Sequence, residues 1–378
     1  MYALQEIDIK GFRRLRDVRL EMRPLTVLIG ANGVGKSSLL DAMNLLSASA
    51  AGQLNVTLNK LLGGMADVCT RGQTGCIDLA VKLAAPGHSP WKYALSLETK
   101  GYSYRVAGEM LAQEPIQYME AHLELIKYYD AQKKRLIKAN WESNSLESAL
   151  SQVHRTGKQL DDFRQILRAD GQYRLLDVGR NAPVKLPQQM RPADSPGANG
   201  EDLVSFLFSL RETDRDRYER IEDTLKAAFP DFASLHFPPV AAGMLSMTWR
   251  ESQCKDPLYI HQLSDGSIRF LWLISLLQSP ALSTITLIDE PEVSLHPDML
   301  RLLADLLREA SLRTNLLVAT HSDQLIRFLK PEEVVVLDKN EEGFTTAHRA
   351  NTLDLEAWLA DYSLDEIRRM GGPMEVRS

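Results

Sequence analysis

Cysteine is scarce in these 378 residues. Cys69, Cys76 and Cys254 show no C-x-x-C spacing, which argues against a zinc knuckle and a disulfide framework and for a reduced, cytoplasmic setting. No apolar run reaches the roughly 18–20 residues of a membrane span. The opening Met1-Tyr-Ala-Leu-Gln-Glu-Ile-Asp-Ile alternates like a strand and lacks the basic-then-apolar pattern of a signal peptide. Excess positive charge is missing too. A net charge of −6 argues against a globally basic nucleic-acid binder and leaves only a local basic groove open. No heptad pattern is sustained and no internal repeat is evident, so neither a long coiled coil nor a solenoid is expected. What remains is ordinary globular composition, with 44% hydrophobic and 25% charged residues, enough for one large domain with an insertion or for two domains.

Hydrophobic periodicity divides the chain into three parts. In residues 1–113, Leu4, Ile7 and Ile9, then Val18 and Leu20, predict two half-buried strands, with Leu25–Ile29 a more deeply buried third. A helix is expected from Lys36 to about Ser47, with Leu39, Leu40, Met43 and Leu46 inward. Ile77–Leu83, Trp91–Leu97 and Tyr102–Val106 alternate as an antiparallel meander would. Residues 114–239 read as a helical insertion or lid. Ile126, Leu146, Leu150 and Leu160 have helical spacing within a stretch rich in Glu, Lys, Gln and Leu. A Pro/Gly loop over Lys185–Gly200 and a helical stretch from Asp202 to about Phe229 follow. In residues 240–378, sheet character resumes near Met244–Trp249. Ile285–Ile288 and Leu316–Ala319 have the short apolar form of buried parallel strands. The helix between them starts at Pro297 and carries Leu300, Leu303, Leu306 and Leu307 inward; Val334–Leu337 is a last strand, and Asp354–Met370 an amphipathic helical tail.

Four strings carry chemistry. Gly30-Ala-Asn-Gly-Val-Gly-Lys36-Ser37 fits G-x-x-x-x-G-K-[ST] between a strand and a helix. Gly30, Gly33 and Gly35 let the backbone N–H groups curl around phosphate oxygens, and the helix N-terminus adds its positive end. Lys36 is expected on the β- and γ-phosphates and the Ser37 hydroxyl on Mg²⁺; Asn32 and Ser38 complete the candidate nucleotide contacts. Asp289 ends an apolar strand where a metal ion beside a phosphate loop would be held, and Glu290, facing the other way, suits a general base. His321 follows a neighbouring strand and could report the γ-phosphate. His296 either touches a partner chain or caps the helix at Pro297. Ser264-Asp-Gly266 opens a long apolar helix and forms a second anion-binding helix start, just ahead of the acidic strand.

In that order the four strings resemble the Walker A, signature, Walker B and switch-histidine motifs of ATP-binding-cassette ATPases. Ser264-Asp-Gly-Ser-Ile-Arg-Phe-Leu, Ile288-Asp-Glu-Pro-Glu-Val-Ser-Leu-His-Pro297 and Thr320-His-Ser are most similar to the RecF/SMC-like heads, and among them to the compact ATPases of the AAA-type core, OLD/RecF-like family. The tail Leu355-Glu-Ala-Trp-Leu-Ala-Asp-Tyr-Ser-Leu is similar as well, whereas the middle of the chain is not. The resemblance implies an α/β fold: a P-loop NTPase of the ABC-ATPase head type, with a mixed central sheet, an antiparallel β subdomain and an inserted helical lobe. It also implies ATP and Mg²⁺ as cofactors, and an ATP-dependent, head-to-tail homodimer in which Ser264 and Gly266 complete the partner's site. Arg13 or Arg14, in the basic cluster Lys10, Arg13, Arg14, Arg16, Arg19 and Arg23, is in similar heads a nucleotide contact; the cluster could instead face DNA phosphates or be a solvated strand edge. Lys133-Lys-Arg135 with Lys138, near Tyr128 and Tyr129, is read as a solvated helix face, with nucleic-acid contact the sharper alternative.

Two departures count. Gln53 and Gln73 are candidates for the glutamine that links metal to helical lobe, without clear context, and the C-x-x-C hook and long coiled coils of the long-armed repair members are missing. The expected function is a soluble ATPase switch in DNA repair, chromosome maintenance or phage defence, alone or with DNA, a nuclease or another protein partner. The alternatives are the energy subunit of a membrane transporter and a regulatory nucleotide-binding module. The helical insertion and the absence of a membrane-coupling element oppose the first; intact Lys36, Ser37, Asp289 and Glu290 oppose the second.

Overall fold

The computed structural model describes residues 2–72, 75–153, 158–168 and 172–350. Gln73 and the expected tail helix Asp354–Met370 lie outside them. The chain begins with β1 (Ala3–Phe12), β2 (Leu15–Glu21), β3 (Leu25–Ile29) and α1 (Lys36–Ala51), then two short helices, α2 (Leu54–Val56) and α3 (Met65–Val68). Six strands follow: β4 (Cys76–Ala84), β5 (Trp91–Lys100), β6 (Ser103–Gln113), β7 (Ile116–His122), β8 (Leu125–Asp130) and β9 (Arg135–Lys138). The middle holds α4 (Ala149–Gln152), α5 (Lys158–Leu167), β10 (Gln172–Tyr173), β11 (Gln188–Gln189), α6 (Leu203–Thr213) and α7 (Arg215–Ala228). Short strands β12 (Phe232–His236), β13 (Pro239–Val240), β14 (Met244–Leu245), β15 (Thr248–Glu251) and β16 (Leu258–Tyr259) form two small sheets with β11. The chain then runs through α8 (Asp265–Gln278), β17 (Ile285–Asp289), α9 (Pro297–Ser311), β18 (Asn315–Ala319), α10 (Asp323–Ile326), β19 (Val334–Lys339) and β20 (Thr345–Arg349).

Two large sheets organise these elements. The central one has the order β10-β17-β18-β3-β19-β20, parallel except for β20. Its inner strands β17, β18, β3 and β19 are largely apolar on both faces, as parallel strands covered on both sides must be. Leu28, Leu287, Leu317 and Val335 enter the core shared with α1 and the antiparallel sheet. Their strand neighbours Val27, Ile288, Val318 and Val334 enter the core shared with α8 and α9. The period of two thus feeds two cores from one sheet. The second sheet is antiparallel, in the order β2-β1-β4-β5-β6-β7-β8-β9.

The expected meander is therefore longer than its sequence pattern. Residues 116–138, read as the start of a helical lobe, are instead strands β7, β8 and β9. They lie at the sheet's margin, where Met119, Ala121 and Ile126 are buried and Glu120, His122, Lys127 and Lys138 on the other face are half-buried or exposed. The hairpins also turn on Leu123 (φ 53) and Lys134 (φ 50) rather than on glycine or asparagine, so the strongest hairpin signal is missing from the sequence. Lys133, Lys134 and Arg135 accordingly sit at a hairpin tip and not on a helix. The single helix expected after Asp202 is two, broken at Asp214, whose side chain caps α7 by accepting from the Arg217 N–H. Among the described residues no helix is long and apolar enough to cross a membrane.

Candidate nucleotide site

Parallel pairing brings the carboxyl ends of β3, β17 and β18 to one edge. Asp289 pairs with Ala319, and Ala319 with Leu28. The glycine loop after β3, the acid pair after β17 and His321 after β18 consequently meet there, the usual place for a ligand in such a sheet. Backbone geometry requires the glycines. Gly30 has φ 143, with the Leu337 carbonyl packed where a side chain would stand. Gly35, the residue that caps α1, has φ 116, and a Cβ there would stand 2.7 Å from the Thr345 hydroxyl oxygen. Gly35 thus lets the loop enter the helix against β20. Gly33 has φ 73 with nothing within 4 Å of the side-chain position. It leaves an open face at the N-terminus of α1, with Asn32 and Ser37 exposed beside it and Ser38 half-buried.

Lys36 is buried to 4% exposure. Its ammonium donates to the carbonyls of Gly30 (2.5 Å) and Ala31 (3.1 Å) and to His321 Nδ1 (3.2 Å). Burial lowers its pKa from 10.5 to about 8, against the opposing pull of Glu290, Asp289 and Glu292. Because Lys36 donates to Nδ1, the neutral ring carries its proton on Nε2, which faces Glu290 Oε1 at 3.4 Å. Glu290 reaches that position through a left-handed backbone (φ 54), its N–H donating to the Ala319 carbonyl at 2.8 Å. A non-glycine residue in this region costs about 1 kcal/mol, a strain common at functional sites.

The Ser37 hydroxyl donates to Asp289, whose carboxyl is pushed above the usual range chiefly by burial. Two hard oxygens, one on a carboxyl that burial disfavours as a lone anion, suit a divalent cation such as Mg²⁺. Among the described residues no group of three or more His, Cys, Asp or Glu surrounds a metal position, so such an ion would take its other ligands from phosphate and water.

Several neighbours had no sequence signal. Gln172, on the two-residue strand β10, aims its amide at Asp289 from 3.5 Å. It stands beside the candidate metal carboxylate, which Gln53 does not. Gln53 stands beyond the far end of the 16-residue α1, about 24 Å from the loop by helical rise. Asp41, one turn along α1 from Ser37 and almost fully buried, holds two guanidiniums: Arg13 at 2.6 Å and Arg174 at 2.7 Å. Arg13 is thereby fixed beside the phosphate-loop helix through a carboxylate. Four other members of its basic cluster are also engaged: Lys10 with Asp17, Arg14 with the Gly343 carbonyl, Arg16 with Glu342 and Arg19 with Glu6. This edge is a paired, solvated one. Glu292 lies beneath the site. Its Oε1 accepts from the Thr320 hydroxyl (2.6 Å) and the His321 N–H (3.0 Å), and burial raises its pKa.

The second helix start faces outward. Ser264 is exposed and caps α8, accepting from the Ser267 N–H at 3.1 Å. Gly266 packs so closely on the turn between β17 and α9 that a Cβ would stand 2.5 Å from the Ser294 carbonyl oxygen. His296 serves as a helix cap, accepting from the Asp298 N–H.

Comparison with known proteins bears on the family and the fold. Residues 25–327 match the family model described as "AAA domain, putative AbiEii toxin, Type IV TA system". A 43-residue stretch is 42% identical to the OLD nuclease of Thermus scotoductus, covering 11% of this chain and only 8% of that protein. An Smc head bound to the C-winged helix domain of ScpA superposes with a TM-score of 0.59 at 13% identity, over 94% of this chain and 99% of that one. An Smc head domain with an extended coiled coil, bound to the C-terminal domain of ScpA and derived from Pyrococcus furiosus, gives 0.56 at 12% identity, over 97% and 100%. The chain belongs to this AAA-domain family and has the P-loop head fold of Smc proteins.

Proposed function

We propose that the protein binds ATP with Mg²⁺, hydrolyses it to ADP and phosphate, and uses the cycle to close and open a head-to-tail pair of its own copies. The supporting observation is the convergence of Lys36, Ser37, Asp289, Glu290 and His321 on one sheet edge beside an open glycine loop. The loop N–H groups and the helix end bind phosphate oxygens, and Lys36 turns from the Gly30 and Ala31 carbonyls to the β- and γ-phosphates. Ser37 and Asp289 would hold Mg²⁺, which supplies charge neutralisation at the phosphates, and the Gln172 amide orients Asp289. Glu290 takes a proton from water as its oxygen attacks the γ-phosphorus, and the bond to the bridging oxygen breaks with that oxygen leaving on ADP. His321, hydrogen-bonded to Lys36 and facing Glu290 at 3.4 Å, senses the γ-phosphoryl group.

The exposed Ser264 and Gly266 start of α8 completes the site of the second copy. The helix-rich part of the middle segment, from about residue 139 to 239, selects the partner. The similar Smc heads are described in complex with ScpA domains, and a protein seated on this head is the corresponding arrangement. The short match to an OLD nuclease supports a role in DNA repair, chromosome maintenance or phage defence. Phosphate release measured with and without duplex and single-stranded DNA separates a DNA-directed role from a protein-directed one.

The decisive variant is Glu290→Gln. It should retain ATP binding, lose about 100-fold or more in phosphate release, and accumulate as an ATP-bound dimer in light scattering with Mg²⁺. Monomer alone under those conditions would exclude the sandwich.

A further inference from the structure

The ladder between β17 and β18 ends at the bond from the Glu290 N–H to the Ala319 carbonyl. Beyond it the two chains separate. The Thr320 N–H turns to the Leu28 carbonyl on the other side. The His321 N–H finds its acceptor in a side chain, Glu292 Oε1 at 3.0 Å, which also accepts from the Thr320 hydroxyl at 2.6 Å. That hydroxyl in turn accepts from the Ser322 N–H at 3.0 Å, so one carboxylate organises three successive residues. A buried N–H without an acceptor is costly, so this contact fixes the backbone from which the imidazole projects. From there the ring reaches Lys36 at 3.2 Å and Glu290 at 3.4 Å. Glu292 makes no hydrogen bond or ion pair with a phosphate-loop residue among the described residues, its charge reaching Lys36 only from a distance, and its other oxygen, Oε2, is buried without a hydrogen-bond partner there. Its geometry serves the neighbouring strand.

We propose that Glu292 is a positioning residue for hydrolysis, holding His321 in contact with both the phosphate-loop lysine and the general base. This rests on the ATPase reading above, yet its geometric half can be tested without it. Glu292→Ala should lower kcat on the order of ten- to a hundred-fold, as small misplacements of reacting groups do, with KM for ATP changed by less than about three-fold. Glu292→Gln keeps an acceptor oxygen and should recover most of that loss. The double variant E292A/H321A should be no slower than H321A, because the two act as one unit. The ring NMR signal of His321, assigned by its loss in H321A, should move in nucleotide-free E292A and hold its position in E292Q.

A wild-type kcat in E292A, a multiplicative loss in the double variant, or an unmoved His321 signal would overturn the assignment. Should E292A fail to fold, Thr320→Val, which removes the second hydrogen bond at similar volume, carries the same test through the His321 signal. A wild-type protein that binds ATP and releases no phosphate would defeat the hydrolysis reading, while the NMR result would still decide the role of Glu292.

Discussion

Lys36 is an ammonium in a buried place, and its ionisation should be visible in the stability of the nucleotide-free protein. Its pKa falls from 10.5 in the free chain to about 8 in the fold, mainly through burial. Between those values the unfolded chain binds more protons than the native one, so stability rises with pH across that window. Below pH 8 the full cost is present, on the order of 3 kcal/mol from the size of the shift. Lys36→Met removes the titration. The thermal midpoint of the wild type should therefore climb relative to that of K36M from pH 7 to 10, and a pH-independent gap would mean the lysine is not held at a depressed pKa. Lys36 itself is legible in the sequence, since its role follows from a local string. Asp41, Gln172, Arg174 and Glu292 are not. Each acts on a residue distant in the chain, as Asp41 does on Arg13 and Arg174, and no periodicity marks a contact made across the fold. Only the doubled acid of Asp-Glu-Pro-Glu hints that Glu292 has work of its own.

At the scale of elements, α1 is joined to the antiparallel sheet by a buried polar chain. Ser49 near the end of α1 bonds the Tyr93 hydroxyl at 2.8 Å, and Tyr93 on β5 donates to Glu109 on β6 at 2.9 Å. Glu109 Oε1 also accepts from the Ser148 hydroxyl and the Leu150 N–H, while Oε2 accepts from the Ala149 N–H at 2.7 Å, so one carboxyl starts α4. Burial raises its pKa even against these donors. Glu109→Gln places an NH₂ group against one of these donors whichever way the amide turns. It should cost about 1–3 kcal/mol and lower the thermal midpoint by several degrees; an unchanged melt would show that the carboxyl does not organise this junction. The same sheet is only half legible in the sequence. β4, β5 and β6 alternate clearly because both hairpin neighbours and a core lie against them. β7, β8 and β9 carry a solvated face and turn on Leu123 and Lys134, so their Glu and Lys content imitates a helix. The central strands are legible for the opposite reason: Leu25–Ile29 and Asn315–Ala319 are buried along their whole length.

For the whole molecule, the proposed pairing of two copies makes its own prediction about how a nucleotide site is completed. In one chain, Lys36 sits among the residues at the ends of β3, β17 and β18, whereas Ser264 is exposed at the tip of α8 and, among the described residues, bonds within its own turn. A two-fold pair lets each chain give its loop to one site and its helix start to the other. That arrangement can be tested by mixing two inactive chains. Lys36→Ala lacks the loop cation but keeps Ser264; Ser264→Arg keeps the loop but blocks the helix start. Each alone should be inactive. In a mixed pair, the loop of the S264R chain meets the intact helix start of the K36A chain, and one complete site is formed. At equal concentrations half of the pairs are mixed and each has one of two sites, so about a quarter of wild-type phosphate release should return. A site built from a single chain predicts no recovery, since no chain in the mixture then contains all of its parts. The rescue should also need the general base only on the S264R chain. Adding Glu290→Gln to that chain should abolish it, and adding the same change to the K36A chain should leave it intact.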